Sequence, residues 1–539
     1  MTALQGGRPR GRARPPAALG AAAALVAAAA SLPLLYLVIR VASGGPAAWA
    51  VLARAETLAV LGRTVGLVVA VTAAATVIGG GLAWLVERTD LPLRALWAVA
   101  AALPLVVPSY VLALALLATI GPGGAVSEAL SPAGRLPDVT GFPGSALALT
   151  LATYPYVYLL AWAALRRADP ALEEAARGLG RSPLAVAREV TLPAARPALG
   201  AGALLAALYT LSDFGVVSLM RHDVLTRAIF QQYRSLFDRT PAAVLGLLLV
   251  ALTVVVLVLE AGARGRASPR AAPAAPRRPP TLRLGRWRAA ALAGCATVVG
   301  LGLVLPVGVL VSWAARAPGE GIDLASGLLA PAAGSLGVSV AAAALAVAAA
   351  LPVALLAVRS PRRWTHALER LTYGANALPG VVVALALVFF AARYAGAVYG
   401  TLAVPLFAYV VRFLPQALSG ARTALAAVNP RLEEAARALG RGPRAAFAAV
   451  TVPLAAPGLL AGAAIVFLST MKELPVTLLL RPIGFDTLAT EVWSATSVSS
   501  YARAAPAALL LIAASAPIVL RMVVRRDGRG AEAEALGAG

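Results

Sequence analysis

Two pairs of adjacent glutamates and two solitary acids are the residues through which this sequence could do chemistry. Glu173 and Glu174 recur as Glu433 and Glu434 at a separation of 260 residues, and Asp213 recurs as Glu473 at the same separation. The paired glutamates open short polar stretches, where a carboxylate sits well near the positive end of a helix. The solitary acids lie in apolar surroundings, TLSDFGVVSL and TMKELPVTLLLRP, beside Lys472, the only lysine of the chain. A charge there is costly and marks either a polar pathway or an internal ion pair. On the first reading Asp213, Lys472 and Glu473 line a cavity or gate. On the second, Glu473 pairs with Lys472, and Asp213 with an arginine beyond the span end such as Arg221.

Other chemistries are excluded by composition. A phosphate-binding loop needs a lysine directly after a glycine, and Lys472 follows Met471. The lone Cys295 allows no intramolecular disulfide, and with only His222 and His366 a histidine-rich metal site is absent. No nucleophile, base and metal constellation is visible, so neither an enzyme nor a cofactor is expected. The net charge of +23 is almost wholly arginine, but the arginines fall in short loops rather than on one basic face, which argues against nucleic acid as a partner.

The glutamate pairs belong to a repeat. Residues 169–199 read DPALEEAARGLGRSPLAVAREVTLPAARPAL and residues 429–459 read NPRLEEAARALGRGPRAAFAAVTVPLAAPGL, superposing without a gap. Asp169 or Asn429 can cap a helix that begins at Pro170 or Pro430, where a missing N–H costs nothing. Gly180 and Gly440 can end it in a left-handed conformation. Pro183 and Pro443 can open a second short helix, expected to finish before Pro193 and Pro453.

The rest of the chain is built to hold these loops at a membrane. Of its 539 residues 60% are hydrophobic and 13% charged, with a mean hydropathy of +0.81. Apolar runs near 17–39, 62–86, 95–120, 144–165, 198–220, 241–259, 289–313, 332–358, 371–392, 399–418, 459–480 and 504–524 predict an all-α polytopic protein of about twelve spans. The first run, preceded by Arg8, Arg10, Arg12 and Arg14, exceeds the roughly 7–15 residues of a signal core and predicts an uncleaved span. Residues 1–260 form one expected domain and 289–539 a second, with a Pro/Arg-rich linker at 261–288. Arginine placement predicts cytoplasmic termini, linker and loops 169–197 and 429–457. The exception is the run Arg221, Arg227, Arg234 and Arg239 after span five, which is either a docking surface or a misplaced boundary. An even number of spans per half makes the repeat parallel, with a pathway expected between the halves.

The duplicated loops resemble the signature of the permease subunits of binding-protein-dependent ABC importers: Glu-Ala-Ala, three residues, Gly, nine residues, Ile, one residue, Leu-Pro. Glu174, Ala175, Ala176, Gly180, Leu192 and Pro193 match it, as do Glu434, Ala435, Ala436, Gly440 and Pro453; Val190, Val450 and Val452 depart mildly. The resemblance implies a type I importer fold, and coupling helices that include Glu173 and Glu433 and dock into ATPase subunits, expected in two copies. It also implies a periplasmic or lipid-tethered binding protein and residence in a bacterial inner membrane. The segments LPLVVPSYVLALALL, YPYVYLLAWAAL, LSDFGVVSL and MKELPVTLLLRP look like the fused iron(III) permeases of this superfamily, so ferric iron is the implied cargo, with thiamine, phosphonate or another small solute as the alternative. Tyr154, Tyr156 and Tyr158 could offer phenolate oxygens to iron, but tyrosines at a span end read first as interfacial anchors. An ion-coupled secondary transporter would share the spans and the repeat, yet leaves the loops without a role.

Overall fold

The computed structural model describes residues 16–121, 124–130, 139–168, 170–235, 240–264, 281–316, 324–374 and 378–537. Arg8 to Arg14, Asp169, Arg239 and the linker residues 265–280 lie outside them. Among the described residues the elements are helical, and the β-type pairing is one isolated bridge between Thr89 and Leu282. Among the described residues nine helices are long and apolar enough to cross a bilayer, from Ala17–Ser43 to Tyr501–Arg521, and a bent pair, Arg94–Val106 with Ser109–Ile120, makes up to ten. The other two expected crossings fall on Gly380–Tyr394 and Ala403–Ala426. At 15 residues the first is about 22 Å long, short of a hydrocarbon core of roughly 30 Å. The second carries Arg412 and Arg422 within it.

Four predicted spans are broken, each at an identifiable residue. The run 95–120 bends by 96° at Pro108, preceded by Val107 in an extended conformation. The run 371–392 breaks at Pro379. In both, proline disfavours a helical conformation for the residue before it. The runs 198–220 and 459–480 stop at Ser212 and Met471, and short helices Gly215–Leu219 and Pro475–Leu480 follow. Asp213 and Glu473 occupy the two breaks.

One expectation is corrected. The second short helix of each loop does not finish before Pro193 or Pro453. Pro183–Val186 and Pro443–Ala446 continue through π-helical turns, Ala187–Thr191 and Phe447–Thr451, into the long helices Leu192–Ser212 and Val452–Met471. The wide turn bonds the Leu192 N–H to the Ala187 carbonyl. The α-helix then restarts with the proline in its first turn, where the missing N–H is tolerated.

The chain divides into two compact units, residues 1–39 with 335–485, and residues 40–334 with 486–539. In the second, glycines bring three helices together: a Cβ on Gly79 would lie 2.6 Å from the Tyr154 carbonyl oxygen, and one on Gly202 would lie 2.6 Å from the Val157 Cα. Ala55–Arg88, Phe142–Arg167 and Leu192–Ser212 therefore meet around Tyr154 to Tyr158. In the first unit the same device recurs 260 residues on, where Gly462 lies against Gly420 and Ala417. Close approach through small residues is how helices associate where lipid removes the hydrophobic drive.

Candidate functional site: two clamped loop helices and two buried acidic turns

The loop helices are Pro170–Gly178 and Pro430–Ala438. The Asn429 side chain accepts from the Arg431 N–H at 3.0 Å, capping the second. Both end as expected, with Gly180 at φ +78° and Gly440 at φ +87°. The Arg181 and Arg441 N–H groups bond back to the Ala176 and Ala436 carbonyls at 3.1 and 3.2 Å, which closes a Schellman motif.

The two glutamates of each pair have opposite fates. Glu173 is buried, accepts a hydrogen bond from Thr191 Oγ1 at 2.8 Å and pairs with Arg88 Nη2 at 3.1 Å. Arg88 ends the membrane helix Ala55–Arg88 and also donates to the Leu165 carbonyl at 3.0 Å. Glu433 repeats this with Thr451 Oγ1 at 2.8 Å, with Arg359 at the end of Leu324–Arg359, and with Arg437 at 2.6 Å. The inner glutamate thus clamps the loop helix to a span end and to its own π-turn. Burial alone would raise the Glu433 carboxyl, but the hydrogen bonds from Thr451 and Arg359 and the charges of Arg359 and Arg437 outweigh it and hold its pKa below the ordinary 4.5.

The outer face is left free of such anchoring. Glu174, Ala175, Glu434 and Ala435 are exposed, while Ala176 is half-buried and Ala436 buried. Leu172, Leu179, Leu432 and Leu439 are also exposed, Leu179 at 84% and Leu439 at 86%. Pro193 is half-buried and Pro453 exposed at the starts of their long helices. Sequence reasoning missed Arg88 and Arg359 because they are 271 residues apart, off the register of the repeat. Thr191 and Thr451 do share the register of the glutamates, and that was the available signal.

The buried acids are also built alike. Asp213 accepts from Ser109 Oγ at 2.6 Å and from the Val216 N–H at 2.9 Å. Glu473 accepts from the Val476 N–H at 3.3 Å and pairs with Arg412 Nε at 3.4 Å. Each carboxylate therefore binds the first turn of the short helix that follows it and reaches the helix that starts after a proline break. In the first half Ser109 supplies a hydroxyl there. In the second, Gly380 leaves the space: a Cβ on it would collide with the Arg412 guanidinium and lie 2.8 Å from Glu473 Oε1. Position 152, which corresponds to Arg412 in the repeat, is alanine. The reading that gave Glu473 its neighbour Lys472 as partner overlooked Arg412. Lys472 itself is half-buried beside Glu473.

The anchor reading is corrected for two of the three tyrosines, Tyr154 and Tyr158. Tyr154 and Tyr158 are fully buried, and Tyr158 donates to the Ala98 carbonyl at 3.0 Å. The notch at Gly79 admits their backbone into the helix interface, so they pack inside the unit rather than at a lipid boundary.

The sequence matches the family described as the binding-protein-dependent transport system inner membrane component, over residues 75–262 and again over 346–526. It is 33% identical over 506 residues to the Fe(3+)-transport system permease protein FbpB 2 of Haemophilus influenzae, covering 93% of this chain and 96% of that protein. It is 28% identical over 460 residues to a probable ABC transporter permease protein, y4fN, of Sinorhizobium fredii, covering 79% and 80%. The molybdenum transport system permease protein ModB of Escherichia coli is 33% identical over 133 residues, 25% of this chain and 58% of that protein.

Proposed function

Because this chain belongs to the inner membrane components of binding-protein-dependent transport systems, and so is a multi-pass ABC permease component, we propose that its two loop helices are the points at which two copies of a separate ATPase engage it. The observation that carries this is the shared construction of the loops. Each is fixed to a span end by a buried glutamate and turns bare leucines outward, Leu179 and Leu439 being almost fully exposed. An isolated loop has no reason to spend two leucines on water, since burying each in a partner groove is worth about 1.5–3 kcal/mol. A secondary transporter would leave these surfaces without an occupant.

Closure of the ATPases on ATP pulls both loops together and rocks the halves between inward- and outward-facing states. The solute reaches the chain from an external binding protein. Both termini, the linker and both loops are cytoplasmic, in keeping with the arginine distribution; a cysteine at Ser182 that reacts with an impermeant reagent in intact cells would contradict this. The cargo is ferric iron, a reading supported by the Haemophilus relative, which is named an Fe(3+)-transport permease and is matched along nearly its full length. Relatives named for molybdenum, sulfate and 2-aminoethylphosphonate match about a third of this chain or less.

Radioactive ferric-iron uptake in iron-limited cells tests the reading. Deleting the permease should abolish it, and Leu179→Asp with Leu439→Asp should do the same at unchanged membrane abundance. Unchanged iron uptake alongside lost uptake of another solute would reassign the cargo and leave the docking role intact.

A further inference from the structure

Within the unit formed by residues 1–39 and 335–485, the amphipathic helix Arg363–Gly374 lies along Ala17–Ser43 and leaves a cavity of about 640 Å³. Its wall is apolar, with Ala30, Leu34 and Leu378 among the lining residues, and its cations are Arg363 and Arg370. Neither the loop helices nor the buried acids use this space.

Trp364 stands 3.6 Å from where a Cβ on Gly20 would lie, so the arginine end is level with the start of the span. Leu34 is fourteen residues farther along, about 21 Å at 1.5 Å per residue, against roughly 15 Å for half of the hydrocarbon core. On Ala17–Ser43 the cavity itself is lined by Ala30, Ser31 and Leu34, ten to fourteen residues in from Gly20. Its charge is one-sided. Glu369, the acid on the same helix, is buried and taken by Arg422 at 2.5 Å, with His366 Nδ1 at 3.4 Å. Among the described residues no carboxylate forms an ion pair with Arg363 or Arg370.

We propose that this slot binds one anionic phospholipid, one of its acyl chains between Ala17–Ser43 and Arg363–Gly374 and its phosphodiester between Arg363 and Arg370. An apolar slot alone would take any acyl chain; two arginines lining it select a headgroup with net negative charge. That the lipid comes from the cytoplasmic leaflet rests on the topology proposed above, whereas binding in detergent does not depend on sidedness.

Native mass spectrometry of the delipidated full-length chain, titrated with phosphatidylglycerol or phosphatidylcholine, tests the site. Phosphatidylglycerol should be held at one site at least tenfold more tightly. Arg363→Gln with Arg370→Gln should erase that preference, and Arg363→Lys with Arg370→Lys should keep most of it. Leu34→Trp, which fills the apolar end and spares both cations, should weaken phosphatidylglycerol binding about tenfold. Equal retention of the two lipids by the wild-type chain overturns the proposal whether or not the variants fold. So does displacement of phosphatidylglycerol by inorganic phosphate, which would reduce the site to a surface anion site.

Discussion

Replacing Glu173 by alanine removes the carboxylate that joins the first loop helix to the end of Ala55–Arg88. The Arg88 and Glu173 side chains are only 3% and 4% exposed, so the variant strands a buried guanidinium, for which the expected cost is about 3–5 kcal/mol. Glu433→Ala breaks a similar contact, but there the Arg359 side chain is 42% exposed and water replaces the lost partner. Its cost should be about 1–2 kcal/mol, one exposed ion pair plus the Thr451 hydrogen bond. Amide hydrogen exchange on the purified full-length chain reads both. Protection across Pro170–Gly178 should fall by about 100-fold or more in Glu173→Ala, and protection across Pro430–Ala438 by about 10-fold in Glu433→Ala, at tenfold per 1.4 kcal/mol. Glu173→Gln should resemble the alanine variant more than the wild type, because the amide keeps the Thr191 hydrogen bond but removes the ion-pair partner of Arg88. Equal losses in the two loops, or a larger loss at Glu433, would refute the reasoning from burial.

Gly180→Val or Gly440→Val forces a β-branched residue to positive φ, costing roughly 1–2 kcal/mol; ATPase association measured by co-purification should weaken in each and weaken further in the double variant, at normal membrane abundance. Gly380→Ala should lower the thermal stability of the purified chain by driving a methyl group into Arg412, and Arg412→Ala in the same chain should relieve the steric part, giving a coupling energy in a double-mutant cycle. The Glu433 carboxyl is held below its ordinary pKa of 4.5 when folded, so its stabilising contribution is intact above that value and lost as pH falls through the depressed folded pKa. Acid-induced loss of protection in Pro430–Ala438 should therefore be shallower in Glu433→Gln than in the wild type.

The helical, membrane-spanning character and the paired loops were legible because they rest on local rules: apolar length, proline at a helix start, glycine at φ near +80°. What stayed hidden depends on distance in sequence. Glu173 and Glu174 are neighbours with the same side chain, and only the packing of Arg88 and Thr191 decides which of them is buried. Arg359 falls outside the 260-residue register that drew attention to Glu433, since the segment between carries eleven extra residues in one half. The π-turns before Pro193 and Pro453 escaped because proline there reads locally as a stop, whereas one wider turn moves it into the first turn of the next helix. Arg412 was passed over inside an apolar run, although the glycine at 380 that makes room for it lies 32 residues away.

In the proposed coupling, both loop helices seat an ATPase. Placing a photo-crosslinking residue at Leu179 or at Leu439 in the full-length chain, co-expressed with its ATPase, tests it most directly. Each position should give an ATPase adduct separately, and a chain carrying both probes should form a product with two ATPase copies. Adducts from neither position, in a complex that still transports, would contradict it.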